Sequence, residues 1–415
     1  MTTTPEEKLI DSTATPKDAT PSAGTGGDAP GARRSPARLR AARHVQSSVT
    51  LVAFLVLFAA FAIWLGGEFV NASARVLNIH QNAPILLLAL AALVTLTAGM
   101  FDLSIASMAT LTTFLTIGLR TEQDLGIGLI LLICCAVGIL GGLLNGILVE
   151  VLGINTFIAT LGSGGLFLGA SSVYSGGAQI APAVDGPTLP SWFLEFGLFT
   201  QKCPDWLLIA LMVLGAVATA LSLGRWKPRS VPTAVWWSVR GVIGVSVLAV
   251  ELFVIRAWFD AISVLVASLI AVTFLLWVLL QQISYGRYLR AVGSNRAAAS
   301  LAGVSVQRTV IQAFVLGGFL AGLSGVVLGA TQSVAVPNVA VSYLLPAFAA
   351  AFLSTVVLSS SQFTVWGTLI GGVFLVWVSQ ALILGGLSPT WSDIVNGAVL
   401  VVAVGMSSVL NRVRT

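Results

Sequence analysis

Charge is scarce in this chain of 415 residues. Lys, Arg, Asp and Glu together make up 9% of it, against roughly 25% for a soluble domain. Hydrophobic residues make up 56%. A soluble enzyme is excluded, and the composition is that of a polytopic membrane protein. Lysine is rarer still, with only Lys8, Lys17, Lys202 and Lys227. None of them follows a glycine, so the phosphate-cradling G-x-x-x-x-G-K-[ST] loop cannot be written in this sequence. If ATP drives the molecule, a separate subunit binds it. The two histidines, His44 and His80, flank apolar runs and cannot make a metal site alone. The three cysteines offer no metal-ligand spacing and no disulfide framework, since Cys134 and Cys135 are adjacent in one apolar run and Cys203 stands by itself. No nucleophile–base constellation appears, so no catalytic residue is named, and the chain is read as a non-enzyme without a cofactor of its own. The net charge of +5 does not imply nucleic acid, because its arginines lie beside apolar runs, where membrane topology explains them.

Apolar runs are abundant. They fall at about 47–66, 83–99, 104–119, 126–148, 157–175, 205–223, 236–255, 260–280, 310–330, 344–358, 364–384 and 391–409. The expected fold is all-α, a helical membrane domain over 46–410 with about twelve candidate spans. Several runs fall short of the ~20 residues needed to cross a bilayer, so some spans are expected to be broken or re-entrant. With the N-terminus inside, seventeen of the 21 basic residues fall in cytoplasmic segments, and only Arg75, Arg120, Lys202 and Arg256 fall outside. That asymmetry puts both termini in the cytoplasm. Residues 1–45 read as a disordered tail ending in Arg33, Arg34, Arg38, Arg40 and Arg43, a cluster suited to anionic lipid headgroups. The largest outside loop, 176–204, is too long and apolar for a plain connector and is expected to form a partly ordered cap. Trp192, Trp206, Trp236, Trp237, Trp366 and Trp391 lie near span ends, as an interfacial belt requires.

The longest polar interval inside the apolar body runs from Tyr285 to Ser305. It carries Arg287, Arg290 and Arg296, with Arg308 just beyond, and has no acidic residue. Asn295 is a good N-cap, three alanines follow, and Gly303 supplies a stop, so 295–301 is expected to be a short helix. A small-residue helix on the membrane face suits docking against another protein. The plain alternative is a solvated basic connector.

Asp102, in Gly99-Met100-Phe101-Asp102-Leu103-Ser104, is an acid at membrane depth, which is costly and points to function. With Ser104 it either caps a broken helix beside a translocation path or binds a cation or proton for an ion-coupled transporter. Gly141, Gly142 and Gly146 suit close helix packing, while Asn145 and Thr160 are candidate pathway residues. Glu150 sits at a cytoplasmic turn, and Glu251 and Asp393 near outer span ends; none of the three requires a special role.

Residues 284–306 resemble the cytoplasmic loop of the sugar-type ABC importer permeases, the ribose/xylose permease family. The family pattern G-R-x-x-x-A-x-G-x-N-x-x-A-A-x-x-x-G-[IV] falls on Gly286, Arg287, Ala291, Gly293, Asn295, Ala298, Ala299 and Gly303-Val304, with one position of play around the alanines. The Asp-Leu-Ser stretch from Gly99 to Ser107, Leu143-Leu144-Asn145-Gly146 and Phe157-Ile158-Ala159-Thr160-Leu161-Gly162 agree in order. The resemblance implies that 282–309 is a coupling loop whose helix seats in a cytoplasmic ABC ATPase. Gly286, Arg287, Gly293, Asn295, Arg296, Ala298, Leu301 and Gly303 are then the coupling residues. It further implies ATP and Mg on that partner, an extracytoplasmic sugar-binding protein, a second permease chain in a homodimer, and a bacterial inner-membrane location. Two features depart from the common pattern. Three runs, not one, separate the outside loop from the coupling loop, an insertion similar to that of xylose permeases. Leu353 to Gln362 stands where many members read G-G-T-S-L-x-G-G-x-G. The leading expectation is a permease importing a monosaccharide, with xylose or another pentose favoured. Nucleoside or branched-chain amino acid import and ion-coupled secondary transport are the alternatives, and a membrane enzyme or channel finds no catalytic set or filter repeat to support it.

Overall fold

The computed structural model describes residues 54, 56–183, 186–204, 262–357 and 362–412, with scattered positions between 206 and 249. The expected tail at 1–45 lies outside the described residues, as does most of the expected runs at 205–223 and 236–255. What is described is helical. Apart from single turns of helix at Gly67–Val70 and Val341–Tyr343, the helices in chain order are α1 (Val56–Leu65), α2 (Ala72–Gln81), α3 (Ala83–Thr97), α4 (Ile105–Thr121), α5 (Ile127–Glu150), α6 (Thr156–Ser175) and α7 (Ser191–Gly197). Then follow α8 (Val264–Gln282), α9 (Ser284–Ser294), α10 (Arg296–Leu301), α11 (Val306–Gln332), α12 (Leu344–Val357), α13 (Val365–Leu384) and α14 (Trp391–Arg412). The all-helical polytopic class expected from composition is what is found.

The span count is smaller on the described residues. Five helices, α5, α6, α8, α11 and α13, are long and apolar enough to cross a membrane, and α2 with α3 makes a sixth if that bent pair is one span. The run at 83–99 is therefore only half of an element. It continues backwards through α2 across a 59° bend at Asn82, with proline in the first turn of α3. A proline there can neither donate to the preceding turn nor accommodate the carbonyl four residues back. About twelve spans are not reached by length and composition among the described residues.

The centre is built from α3, α4, α5 and α11. Every residue of α3 except Ile85 is buried, which is where a helix apolar on all sides belongs. The most extensive helix pair among the described residues is α5 with α11, and its seam is backbone on backbone. A Cβ added to Gly142 would run into the Phe314 carbonyl, and one added to Gly318 into the Gly138 carbonyl. Between helices in lipid no hydrophobic force draws surfaces together, so backbone contact through glycine supplies the dispersion energy instead. The glycines read as packing residues in the sequence do pack here, with Gly142 and Gly146 on α11 and Gly141 against Met108 and Phe167.

The turns collect at two ends. At one, the chain around Thr97 meets Gly293, and Glu150 meets Arg296. At the other, Ile180 pairs with Ala335 and Lys202 with Ser263, and α7 is wedged so tightly on α11 that a Cβ on Gly197 would overlap the Ala330 carbonyl. The described residues of this segment, 176–183 and 186–204, thus pack against the body at this second end. His80, buried, bonds the Ser263 hydroxyl and the Gly197 carbonyl at 2.7 Å each, pinning α2 beneath it.

Candidate functional site

The polar interval forms two helices. Ile283 is extended (φ −94°, ψ 155°) and turns the chain out of α8 into α9. Gly286 then lies against the backbone of Leu280, where any Cβ would overlap the carbonyl. Arg290 donates to the same carbonyl through Nη1 at 2.6 Å. Burial, and then the neighbouring Arg287 charge, push its guanidinium below the usual value, though arginine remains charged at any physiological pH. Leu289 and Val292 point into the core. Asn295 ends α9 and caps α10, accepting the Ala298 N–H at 2.9 Å on its side-chain oxygen. Gly303 takes a left-handed φ of +81° and ends the element. The short helix expected at 295–301 is present with its expected cap and stop.

Helix α10 buries only Ala299. Ala297, Ala298, Ser300 and Ala302 face outward, and Leu301 is 91% exposed. Two attachments hold the helix to the body. Arg296 Nη2 donates to both carboxylate oxygens of Glu150, the last residue of α5, at 2.7 Å each. Gly293, one turn earlier, rests directly on Thr97 and Ala98, where a Cβ would collide with the Thr97 carbonyl and lie 3.2 Å from the carbonyl carbon of Ala98.

That resting point is the break between α3 and α4. Gly99 has φ +77°, and residues 98–104 are non-helical. Asp102, 1% exposed, accepts the Ser104 N–H at 3.0 Å and the Ser104 hydroxyl at 2.6 Å on one oxygen. Asn145, from α5, donates to the Ser104 Oγ at 2.7 Å and reaches Asp102 at 3.5 Å. Thr160, from α6, donates to the Phe101 carbonyl at 3.3 Å. The structure therefore brings Asp102, Ser104, Asn145 and Thr160 together around one break. Ser104 is the N-cap residue of α4 and Asp102 lies two residues upstream, closing an Asx-type turn. Asp102→Asn keeps the acceptor that Ser104 uses, so we expect at least half of wild-type transport, and Asp102→Ala to lose more than tenfold. Transport assays on equal amounts of inserted protein check this; total loss in the Asn variant would require the charge itself.

Residues 76–404 match the family described as "Branched-chain amino acid transport system / permease component". The chain belongs to this family. It is 31% identical over 353 residues to the autoinducer 2 import system permease protein LsrC of Enterobacter sp. strain 638, covering 84% of each chain. It is 27% identical over 316 residues to the ribose import permease protein RbsC of Escherichia coli K12, covering 75% of this chain and 78% of that one. It is 25% identical over 282 residues to the galactose/methyl galactoside import permease protein MglC of Salmonella typhimurium LT2, covering 68% and 67%. No solved structure matches significantly. Permease subunits of this family are transport components of import systems and are not themselves enzymes; with its apolar helices, this one is a multi-pass inner-membrane protein.

In this permease Gly293, one of the expected coupling residues, rests on Thr97 and Ala98 at the start of the helix break that Asp102, Ser104, Asn145 and Thr160 surround. Sequence reasoning missed three participants. Helix α9 was visible only as a polar interval. In the sequence Arg290 is one more basic residue of the polar interval. Glu150 reads in the sequence as a turn residue, and only its distant partner Arg296 gives it a task.

Proposed function

We propose that this permease carries a neutral monosaccharide inward and is powered by a separate ABC ATPase that binds ATP and Mg and receives α10. The observation that carries this reading is α10 itself: a capped helix held clear of the body, presenting alanines and Leu301, yet tied to Glu150 and to the helix break. Small side chains let a partner groove approach the backbone, and Leu301 gives it an apolar anchor. In this reading the α10 end faces the cytoplasm, as do both termini, and the 176–204 cap faces outward, where a sugar-binding protein delivers solute. Two copies of the chain line the path. The relatives named for ribose, autoinducer 2 and galactose support a monosaccharide-like solute, and the insertion before the coupling loop favours a pentose such as xylose.

Purification of the tagged chain from its own membranes tests this. An ABC ATPase is expected to come with it in stoichiometric amount. Asn295→Pro should lose that partner more than tenfold while the chain stays inserted, because Asn295 sits at φ −160° and donates its N–H to Ala291, and proline allows neither. Leu301→Asp should do the same without touching the backbone. ATPase retained by both variants would remove α10 as the docking element. Absence of any ATPase after mild crosslinking would sink the importer reading.

A further inference from the structure

Helix α10 is joined to the body at both of its ends. At its C-terminal end, residues 302–305 turn at Gly303 and lead straight into α11. At its N-terminal end Arg296, its first residue, holds Glu150, the last residue of α5, with Nη2 at 2.7 Å from both carboxylate oxygens. Gln307, in the first turn of α11, donates from its side-chain amide to the Glu150 carbonyl at 3.5 Å. Helices α5 and α11 already meet backbone to backbone at Gly138, Gly142 and Gly318. The three helices α5, α10 and α11 therefore form a closed frame, and the Glu150 side chain is what closes it. The charges of this pair stand where their own helices disfavour them. A carboxylate at a helix C-terminus and a guanidinium at a helix N-terminus each oppose the backbone dipoles. Neither α5 nor α10 gains from its own charge; what the two charges do is join the helices. Exposed ion pairs ordinarily contribute little, but here the Glu150 side chain is only 5% exposed, against 46% for Arg296. The carboxylate belongs to the body, and the arginine reaches in to it.

We infer that Glu150 is a positioning residue for transport: it locks α10 to the α5–α11 pair, so that a displacement of α10 moves the pair as one body and carries the helix break at 98–104 with it. The frame reaches that break directly. Asn145, less than two turns before Glu150 on α5, donates to the Ser104 Oγ at 2.7 Å. The surface that α10 presents outward, with Ala297, Ala298 and Leu301, does not include Glu150, whose side chain is turned to the body. This inference rests on the reading of α10 as the element that receives the ATPase, and it assigns how the movement leaves that element. Removing the Glu150 carboxylate leaves Arg296 with water to solvate it, so the fold is not left with an unpaired buried charge.

The test uses the full permease with its ATPase in lipid nanodiscs. Phe101 is 46% exposed at the break, and Phe101→Cys reports the surroundings there through its rate of reaction with a maleimide, read against the complex without that substitution. Adding ATP, Mg and vanadate should change the rate at least tenfold. With Glu150→Ala the ATPase should still copurify and the thermal midpoint should be unchanged or higher, while the nucleotide-driven change in rate falls to less than twofold. The exchanged pair, Glu150→Arg with Arg296→Glu, places each charge at the helix end that favours it and should restore at least half of the wild-type change. A residue serving only the fold would lower the midpoint and leave the response of the folded fraction intact. A full response in Glu150→Ala, a loss that the exchange does not restore, or a wild-type break indifferent to nucleotide would each overturn the role of Glu150. Loss of the ATPase from Glu150→Ala would make the pair a docking contact and overturn it as well. A wild-type chain that yields no ATPase would overturn instead the importer reading, and the inference with it.

Discussion

Gly318→Leu should yield almost no folded permease. The side chain would have to occupy the volume of the Gly138 carbonyl and of Gly142, on a helix that α11 touches along most of its length. Neither wall is a flexible side chain that could swing aside. Overpacking a well-filled interior ordinarily costs about 1–3 kcal/mol, and a backbone-to-backbone seam with no room to relax belongs at or beyond the upper end. Size-exclusion of the detergent-solubilised chain should show loss of the monodisperse peak, and Gly142→Leu should behave likewise. Gly162→Leu is the control: it lies on the exposed face of α6 with nothing within 4 Å of its would-be Cβ, and it should be recovered at wild-type level. A monodisperse Gly318→Leu protein with an unshifted thermal midpoint would show that the seam is looser than described.

Gly293→Ala should abolish transport without disturbing assembly. Alanine is a better helix former than glycine by about 1 kcal/mol, and Gly293 has ordinary helical geometry in α9, so the helix gains. The added methyl collides with the Thr97 carbonyl and sits 3.0 Å from the Thr97 carbonyl carbon. It must therefore lift α9 off the break or shift residues 97–99. Asn295, Leu301 and the Arg296–Glu150 pair are untouched, so the ATPase should still copurify, while uptake falls at least tenfold. Ser294→Ala, next door and exposed, loses only a bond to the Ala291 carbonyl and should transport normally. Wild-type uptake by Gly293→Ala would mean that the contact transmits nothing.

The class of fold was readable from the lack of charge alone, and the α10 helix from Asn295, its alanines and Gly303, because a cap, a propensity and a stop are local properties. Helix α2 was not readable. It carries Arg75, Asn78, His80 and Gln81, which erase the hydropathy of a membrane segment, yet the first three are buried. Their partners are Phe69 for the arginine ring contact, Gln380 for Asn78, and Gly197 with Ser263 for His80. Most of these lie far along the chain, and a window of sequence does not contain them. Glu150 was opaque for the same reason, since its partner Arg296 is 146 residues away. Around the break, the four residue types were legible as polar groups in apolar surroundings. Their convergence on one turn was not, because α4, α5 and α6 each supply one side and only packing sets their rotation.

The glycine seam also governs how the protein is made. Helix α5 leaves the ribosome roughly 180 residues before the half of α11 that fills its groove, a wait on the order of 10–40 s at ordinary rates of synthesis. Until then the notch at Gly138, Gly142 and Gly146 faces lipid or a chaperone, offering backbone surface to any other small-residue helix that passes. Nascent chains that stall before Val306 therefore carry an unfilled docking groove, and quality control in the membrane has a physical mark by which to recognise them.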